Sequence, residues 1–346
     1  MHGRLALVRA THLNDYISVL REIGAPVDRD LSHSTLPPRI AETPDLYVSI
    51  PAAIEWIAKT GRDLEPMELG LLAAGKASLS SLRPSQQTAI VTAQTGLKRL
   101  EALAAVARYE DSILDMRILP EADSVRVVCA MTGTGRHPFL CFAEWLNLQA
   151  VLSVVRSVSG PAWCPLELAF VSSSRPPEAV QAAFPNTRIL VGQPVSSVLV
   201  GRAELALLTE DATTSTRDPS AHLTCEESPD GGPEVWEFIS LLRTMVQPYL
   251  AEGRTDVAFV AEMAGVSTRT LQRRLMTSGT SYSRILQEAR FELARARLSD
   301  PGLKVIDVAM IAGYESPQHF TRAFRRFTGV TPSEYRQSSV RLETGA

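Results

Sequence analysis

Near its C-terminus the chain writes one pattern twice, VAFVAEMAGVSTRTLQRRL over 257–275 and VIDVAMIAGYESPQHFTRAF over 305–324. Each copy reads as a short amphipathic helix, a glycine turn, a serine and a second helix carrying arginine. Ala261 and Ala309 are small where two helices must cross closely, and Gly265 and Gly313 suit the left-handed position that ends the first helix. Val266 and Tyr314 are placed to fill the space beneath each turn. Ser267 and Ser316 read as N-caps, and Pro317 suits the first helical position. Leu271 and Leu275, then Phe320 and Phe324, share an inward face at i,i+4 spacing. The pattern predicts two helix-turn-helix modules.

Fixing the inward face forces the others outward. Those outward positions hold Thr268, Arg269, Gln272 and Arg273 in the first module, and Gln318, His319, Thr321 and Arg322 in the second. Arginine can pair with guanine O6 and N7 and glutamine with adenine N6 and N7, each good pair discriminating by about 1–3 kcal/mol. Arg269, Gln272, Arg273, Gln318, His319 and Arg322 are therefore the expected base readers. Ser267, Arg274, Ser316, Arg325 and Arg326 lie beside them and are assigned to phosphate, which fixes register without reading sequence. A structural trihelical unit is the alternative for one such module, but duplication with arginine at the same place in both second helices argues against it. A histidine such as His319 is as often simply solvated.

Segment 281–298 reads as a helix joining the modules, roughly 27 Å long at 1.5 Å per residue, against about 34 Å between successive major-groove faces. Thr331-Pro332-Ser333-Glu334 is a capping box that opens a last helix through Tyr335 and Arg336. The whole segment from Val235 to Arg336, and LARARLSDPGLKVIDVAMIAGYESPQHFTRAFRRFTGVTPSEYR in particular, resembles the DNA-binding domain of the AraC/XylS family of bacterial transcription regulators. The resemblance implies two major-groove recognition helices, with base contacts at positions matching Arg269, Gln272, Arg273, Gln318 and Arg322. Pro317 departs from the polar residue many members carry there.

Ahead of the modules, TEDATTSTRDPSAHLTCEESPDGGP over 209–233 reads as an interdomain connection. Further upstream, helix patterns at 13–23, 50–57, 69–74 and 97–106 precede strand-like runs at 113–119 and 125–131, a helix over 139–158, and strands at 166–171, 188–190 and 195–200. Through its length, its LGLLAAG segment (Leu69 to Gly75) and its helices-before-strands order, this part is similar to the arabinose-binding-like domain of the ornithine-utilisation regulator subgroup. That resemblance implies a domain that senses a small molecule and supports dimerisation, with no ligand residue transferable.

Charge is split along the chain: the net charge is -3 overall, yet 251–346 carries +4 with Lys304 its only lysine. Four cysteines (Cys129, Cys141, Cys164, Cys225) lack paired spacing, which fits a reducing cytoplasm and gives no support to a zinc thiolate cluster. Cys129, after an apolar run, is expected to be a buried, inert thiol in preference to a nucleophile. Gly133-Thr134-Gly135-Arg136-His137 reads as an ordinary turn, lacking the residues of a dinucleotide or P-loop fingerprint. Phe139, Phe142, Trp145 and Trp163 could line a pocket, and core packing explains them equally well. No signal peptide or membrane-spanning run is visible.

The sequence thus predicts an α+β effector and dimerisation domain over 1–215, a linker over 216–233 and an all-α DNA-binding domain with two helix-turn-helix modules over 234–346. The expected function is that of a cytoplasmic, homodimeric transcription regulator, an activator by the family's usual sign, and not an enzyme. Its expected partners are double-stranded promoter DNA, RNA polymerase and a small-molecule effector, without cofactor, metal or membrane.

Overall fold

The computed structural model describes residues 5–38, 40–133, 137–207 and 238–343, with side chains to 338. The chain divides into two compact units, Met1–Trp236 and Glu237–Ala346. The expected linker over 216–233, both boundaries drawn around it, Cys225 and most of the 133–137 turn lie outside the described residues. Among those described, no helix is long and apolar enough to cross a membrane.

The first unit is α+β. A short antiparallel pair, β1 (Leu7–Arg9) and β2 (Tyr47–Ser49), accompanies helices α1 (Thr11–Glu22), α2 (Val27–Ser32), α3 (Ile50–Thr60), α4 (Pro66–Lys76), α5 (Pro84–Val91) and α6 (Gly96–Glu110). Then follow β3 (Leu114–Pro120), β4 (Ser124–Met131), α7 (Cys141–Ser159), β5 (Glu167–Ala169), α8 (Glu178–Ala183), β6 (Arg188–Leu190), β7 (Ser196–Gly201) and α9 (Arg202–Leu205). The five later strands form one sheet in the order β3-β4-β7-β5-β6, parallel only between β5 and β6.

Helix α7 organises this unit because it is buried nearly all round, through Phe142, Trp145, Leu148, Leu152 and Val155. Trp145 packs at a tilt on Phe170 and stacks on Phe184, with centroids 5.0 and 6.1 Å away. Gly70 on α4 lets the helices close: a Cβ there would come within 2.2 Å of the Trp145 ring. Glu144 has 0% exposure and accepts hydrogen bonds from the Val171 and Ser172 amides and from Ser196 Oγ, at 2.5, 3.2 and 2.5 Å. These bonds tie α7 to the ends of two strands, and burial still holds the carboxyl above its usual range despite them.

Cys129 and Cys141 are buried, and burial pushes both thiols up to about 12, so neither is a nucleophile at neutral pH. Of the four aromatic residues weighed as pocket lining, Trp145 is core. Phe139 stacks on Phe142 at 6.1 Å, and Trp163 packs against the core rim.

The second unit is all-helical over α10 (Phe238–Val246), α11 (Val257–Met263), α12 (Thr268–Thr277), α13 (Tyr282–Leu298), α14 (Val305–Ile311), α15 (Pro317–Thr328) and α16 (Pro332–Glu343). Helix α13 is its spine. Arg243 on α10 pairs with Glu292 on α13 at 2.6 Å, while Ala294 and Leu298 share a cluster with Val308, Ala309, Phe320 and Phe324. Arg336 on α16 donates to the Leu298 and Leu303 carbonyls at 3.0 and 2.7 Å, closing the exposed end of α13. The sequence placed Arg336 in the last helix without foreseeing this role.

Candidate nucleic-acid interface

The two turns are built alike. Gly265 and Gly313 adopt φ of 63° and 75°, and no non-glycine residue described has positive φ. Each glycine amide donates to the carbonyl three residues back, Glu262 or Met310, at 2.9 Å. The following amide, of Val266 or Tyr314, donates five residues back to Ala261 or Ala309 at 3.0 and 2.9 Å. This double bond pattern ends a helix on a left-handed glycine and aims the chain into the next one. Thus α11 leads into α12, and α14 into α15.

The helices that follow start differently. Ser267 caps α12 as expected, its Oγ accepting from the Thr270 amide at 3.2 Å. Ser316 occupies the N-cap of α15 but makes no side-chain cap; its hydroxyl donates to Gln318 Oε1 at 2.6 Å instead. With Pro317 lacking an amide hydrogen, α15 begins on fixed φ in place of a hydroxyl cap.

Inward faces match the pattern. Leu271 and Leu275 are buried on α12, as are Phe320 and Phe324 on α15. The second core is aromatic: Phe324 touches Phe291, Phe320 and Tyr335 with centroids 5.3, 5.7 and 5.4 Å apart. Tyr314 packs on Phe320 at 5.3 Å and under the Arg290 guanidinium at 5.4 Å.

Outward, Arg269, Gln272, Arg273, Gln318, His319, Arg322, Arg325 and Arg326 are exposed. Neither α12 nor α15 contains an acidic residue, and each carries three arginines. Among the described residues, Arg269, Arg273, Arg322 and Arg326 make no ion pair. Hydrogen bonds from the Thr331 amide and hydroxyl, with a smaller contribution from the Arg325 charge, hold the exposed Glu334 carboxyl below its usual range. One expected phosphate contact and one outward position are otherwise engaged. Arg274 is half-buried with its guanidinium 5.4 Å from the Phe238 ring centroid, and Thr321 spends its hydroxyl on the Pro317 carbonyl at 2.9 Å. Packing against α10 takes Arg274 off the open face, which sequence spacing alone could not show.

Met276 was overlooked. It is 77% exposed and extends the stripe of Gln272 and Arg273 by one turn. The signal was present, an apolar residue at i+3 and i+4 from two polar outward positions.

Residues 260–338 match the family described as a helix-turn-helix domain. The HTH-type transcriptional regulator VirS of Mycobacterium tuberculosis is 24% identical over 343 residues, covering 96% of each chain. The ornithine utilization regulator of Pseudomonas aeruginosa is 35% identical over 83 residues, 24% of each chain. Among solved structures, the transcriptional regulator CdpR of Pseudomonas aeruginosa aligns with 94% of this chain and 96% of its own, at 22% identity and a TM-score of 0.41. With two helix-turn-helix modules built on matching glycine turns and transcriptional regulators among its relatives, this chain carries a C-terminal AraC-family helix-turn-helix domain and is a DNA-binding transcriptional regulator.

Proposed function

We propose that α12 and α15 enter successive major grooves of promoter DNA, with Arg269, Gln272 and Arg273 reading one site and Gln318, His319 and Arg322 the other. The observation that carries this reading is the pair of exposed, acid-free arginine faces presented after matching turns. Ser267, Arg325 and Arg326 contact phosphate, Arg274 does so from its seat on Phe238, and Ser316 does so only by releasing Gln318. With its oxygen held by Ser316, Gln318 offers its amide donors, which suits guanine acceptors or phosphate better than adenine. Met276 supplies an apolar contact for a thymine methyl. Helix α13, at 17 residues about 25 Å long, sets the spacing.

Residues 1–215 form the effector and dimerisation domain, 216–233 the linker and 234–346 the DNA-binding domain. The protein works in the cytoplasm as a homodimer, takes a small-molecule effector in its first unit, and activates transcription by contacting RNA polymerase. Its relatives are transcriptional regulators, and we assign it no catalytic residue. A gel shift on DNA flanking the coding sequence tests the reading. Binding should weaken steeply with salt, roughly 10³-fold or more between 50 and 200 mM if six or more phosphates are contacted. Salt-insensitive binding, or no shift with any promoter fragment, refutes it.

A further inference from the structure

The first unit contains a partly open apolar cavity of about 90 Å³ among α1, α3, α6, β3 and α7. One water needs roughly 10–15 Å³ on this scale, so the space is on the order of seven waters, a ligand of about ten heavy atoms. Its walls are aliphatic and aromatic, with Leu13, Ile54, Leu103 and Phe142 among them, while His12, Glu110, Asp111 and Asn147 supply the polar groups. A smaller cavity of about 40 Å³ adjoins it through His12, Leu82, Leu146 and Ala150, and is bordered by the exposed Ser78. That border offers a way in.

The polar groups constrain the ligand. Arg9, the nearby cation, does not line the cavity and is already ion-paired: it pairs with Glu110 at 3.1 Å and Asp45 at 3.5 Å, and donates to the Ser81 carbonyl. His12 Nε2 is taken by Glu110 at 2.9 Å. An anionic head would therefore face two carboxylates with no free cation to receive it. Asp111 accepts from the Ile113 amide at 2.9 Å and keeps further acceptor capacity, and Asn147 Nδ2 is a buried donor with no partner. A head that both donates and accepts satisfies the two at once. An ammonium can only donate, and a carboxylate only accept.

We propose that this cavity is the effector site and that its ligand is an uncharged hydroxyl-bearing amphiphile, with the hydroxyl between Asp111 and Asn147 and an apolar body of about nine carbons. The proposal rests on the reading of the first unit as an effector domain. Burial pushes the Asp111 carboxyl up to about 6 despite hydrogen bonds from the Ile113 and Leu114 amides, and a ligand hydroxyl donates one more to it.

The test titrates full-length protein with three para-substituted benzenes of about ten heavy atoms each, 4-propylphenol, 4-ethylbenzylamine and 4-methylbenzoate, by calorimetry at neutral pH. The phenol should bind tightest and the benzoate weakest. Asn147→Leu should weaken the phenol about five- to tenfold while leaving the amine nearly unchanged, as expected for one lost hydrogen bond. Ala150→Leu, which adds bulk where the two cavities meet, should weaken all three. Benzoate binding as tight as phenol, or phenol binding indifferent to both substitutions, overturns the site. Operator affinity is then measured with and without the phenol. Tight, substitution-sensitive binding with no change in DNA affinity or transcription overturns the effector reading and leaves the ligand site standing.

Discussion

The two turns share one backbone conformation but not one environment, and alanine substitution exposes the difference. At Gly265 (φ 63°) a Cβ would meet nothing within 4 Å, so Gly265→Ala costs only the left-handed penalty of about 1 kcal/mol. At Gly313 (φ 75°) the same Cβ would lie 2.3 Å from the Leu250 carbonyl oxygen and 3.0 Å from its carbon. Both atoms are backbone, which no rotamer change can move aside. Overpacking typically adds about 1–3 kcal/mol, so Gly313→Ala should cost about 2–4 kcal/mol. Hydrogen exchange on the full chain reads each module separately. At about 1.4 kcal/mol per tenfold, α12 amides should exchange about fivefold faster in Gly265→Ala, and α15 amides at least 30-fold faster in Gly313→Ala. Equal effects, or a neutral Gly313→Ala, would refute the claim that the second turn is seated against the chain at Leu250.

Serine caps should divide the same way: Ser267→Ala costs about 1 kcal/mol through the lost bond to the Thr270 amide, and Ser316→Ala well under half of that because it caps nothing. Exchange of the first-turn amides of α12 and α15 checks the pair, and equal losses contradict it. Asp111 titrates near 6 when folded against 3.8 unfolded, so between those pH values the folded chain binds more protons and this group's contribution to stability declines as pH rises. Over that window it amounts to at most about 3 kcal/mol. Relative to wild type, Asp111→Asn should therefore gain stability from pH 4 to pH 7 in urea unfolding, and parallel pH profiles would contradict this.

Much of the second unit was legible because its signals are local. A glycine that must be left-handed, a serine before an arginine-bearing helix, Thr331 with Glu334, and leucine or phenylalanine at i,i+4 each fix one element without reference to distant residues. The Thr331 amide indeed donates to Glu334 at 2.7 Å, and the Glu334 amide returns to Thr331 Oγ1 at 3.3 Å. What spacing could not supply was tertiary: Arg274 lying over Phe238, Ser316 turning to Gln318, and Arg336 reaching the end of α13.

In the first unit the later strands were readable and the first pair was not. Strand β6 falls on the expected 188–190 and β5 within 166–171, whereas β1 and β2 run directly into helices whose patterns absorb them. Helix α5 was missed because its sequence, PSQQTAIV, buries only Gln86 and Ile90 and so carries almost no amphipathic pattern. The cavity was invisible for a different reason. Its polar groups come from α1, from the end of α6 with the residue after it, and from α7, and only packing brings His12, Asp111 and Asn147 to one space.

Central to the account is that Arg273 and Arg322 each read a base in a different major groove. The direct measurement is the affinity of wild type, Arg273→Ala and Arg322→Ala for a set of singly substituted operator fragments, alongside random DNA. Each variant should lose about 1–3 kcal/mol on the operator and relax base preference at one position, the two positions lying about one helical turn apart, while random DNA is little affected. Losses that are the same on operator and random DNA for both arginines would assign them to phosphate and contradict the account.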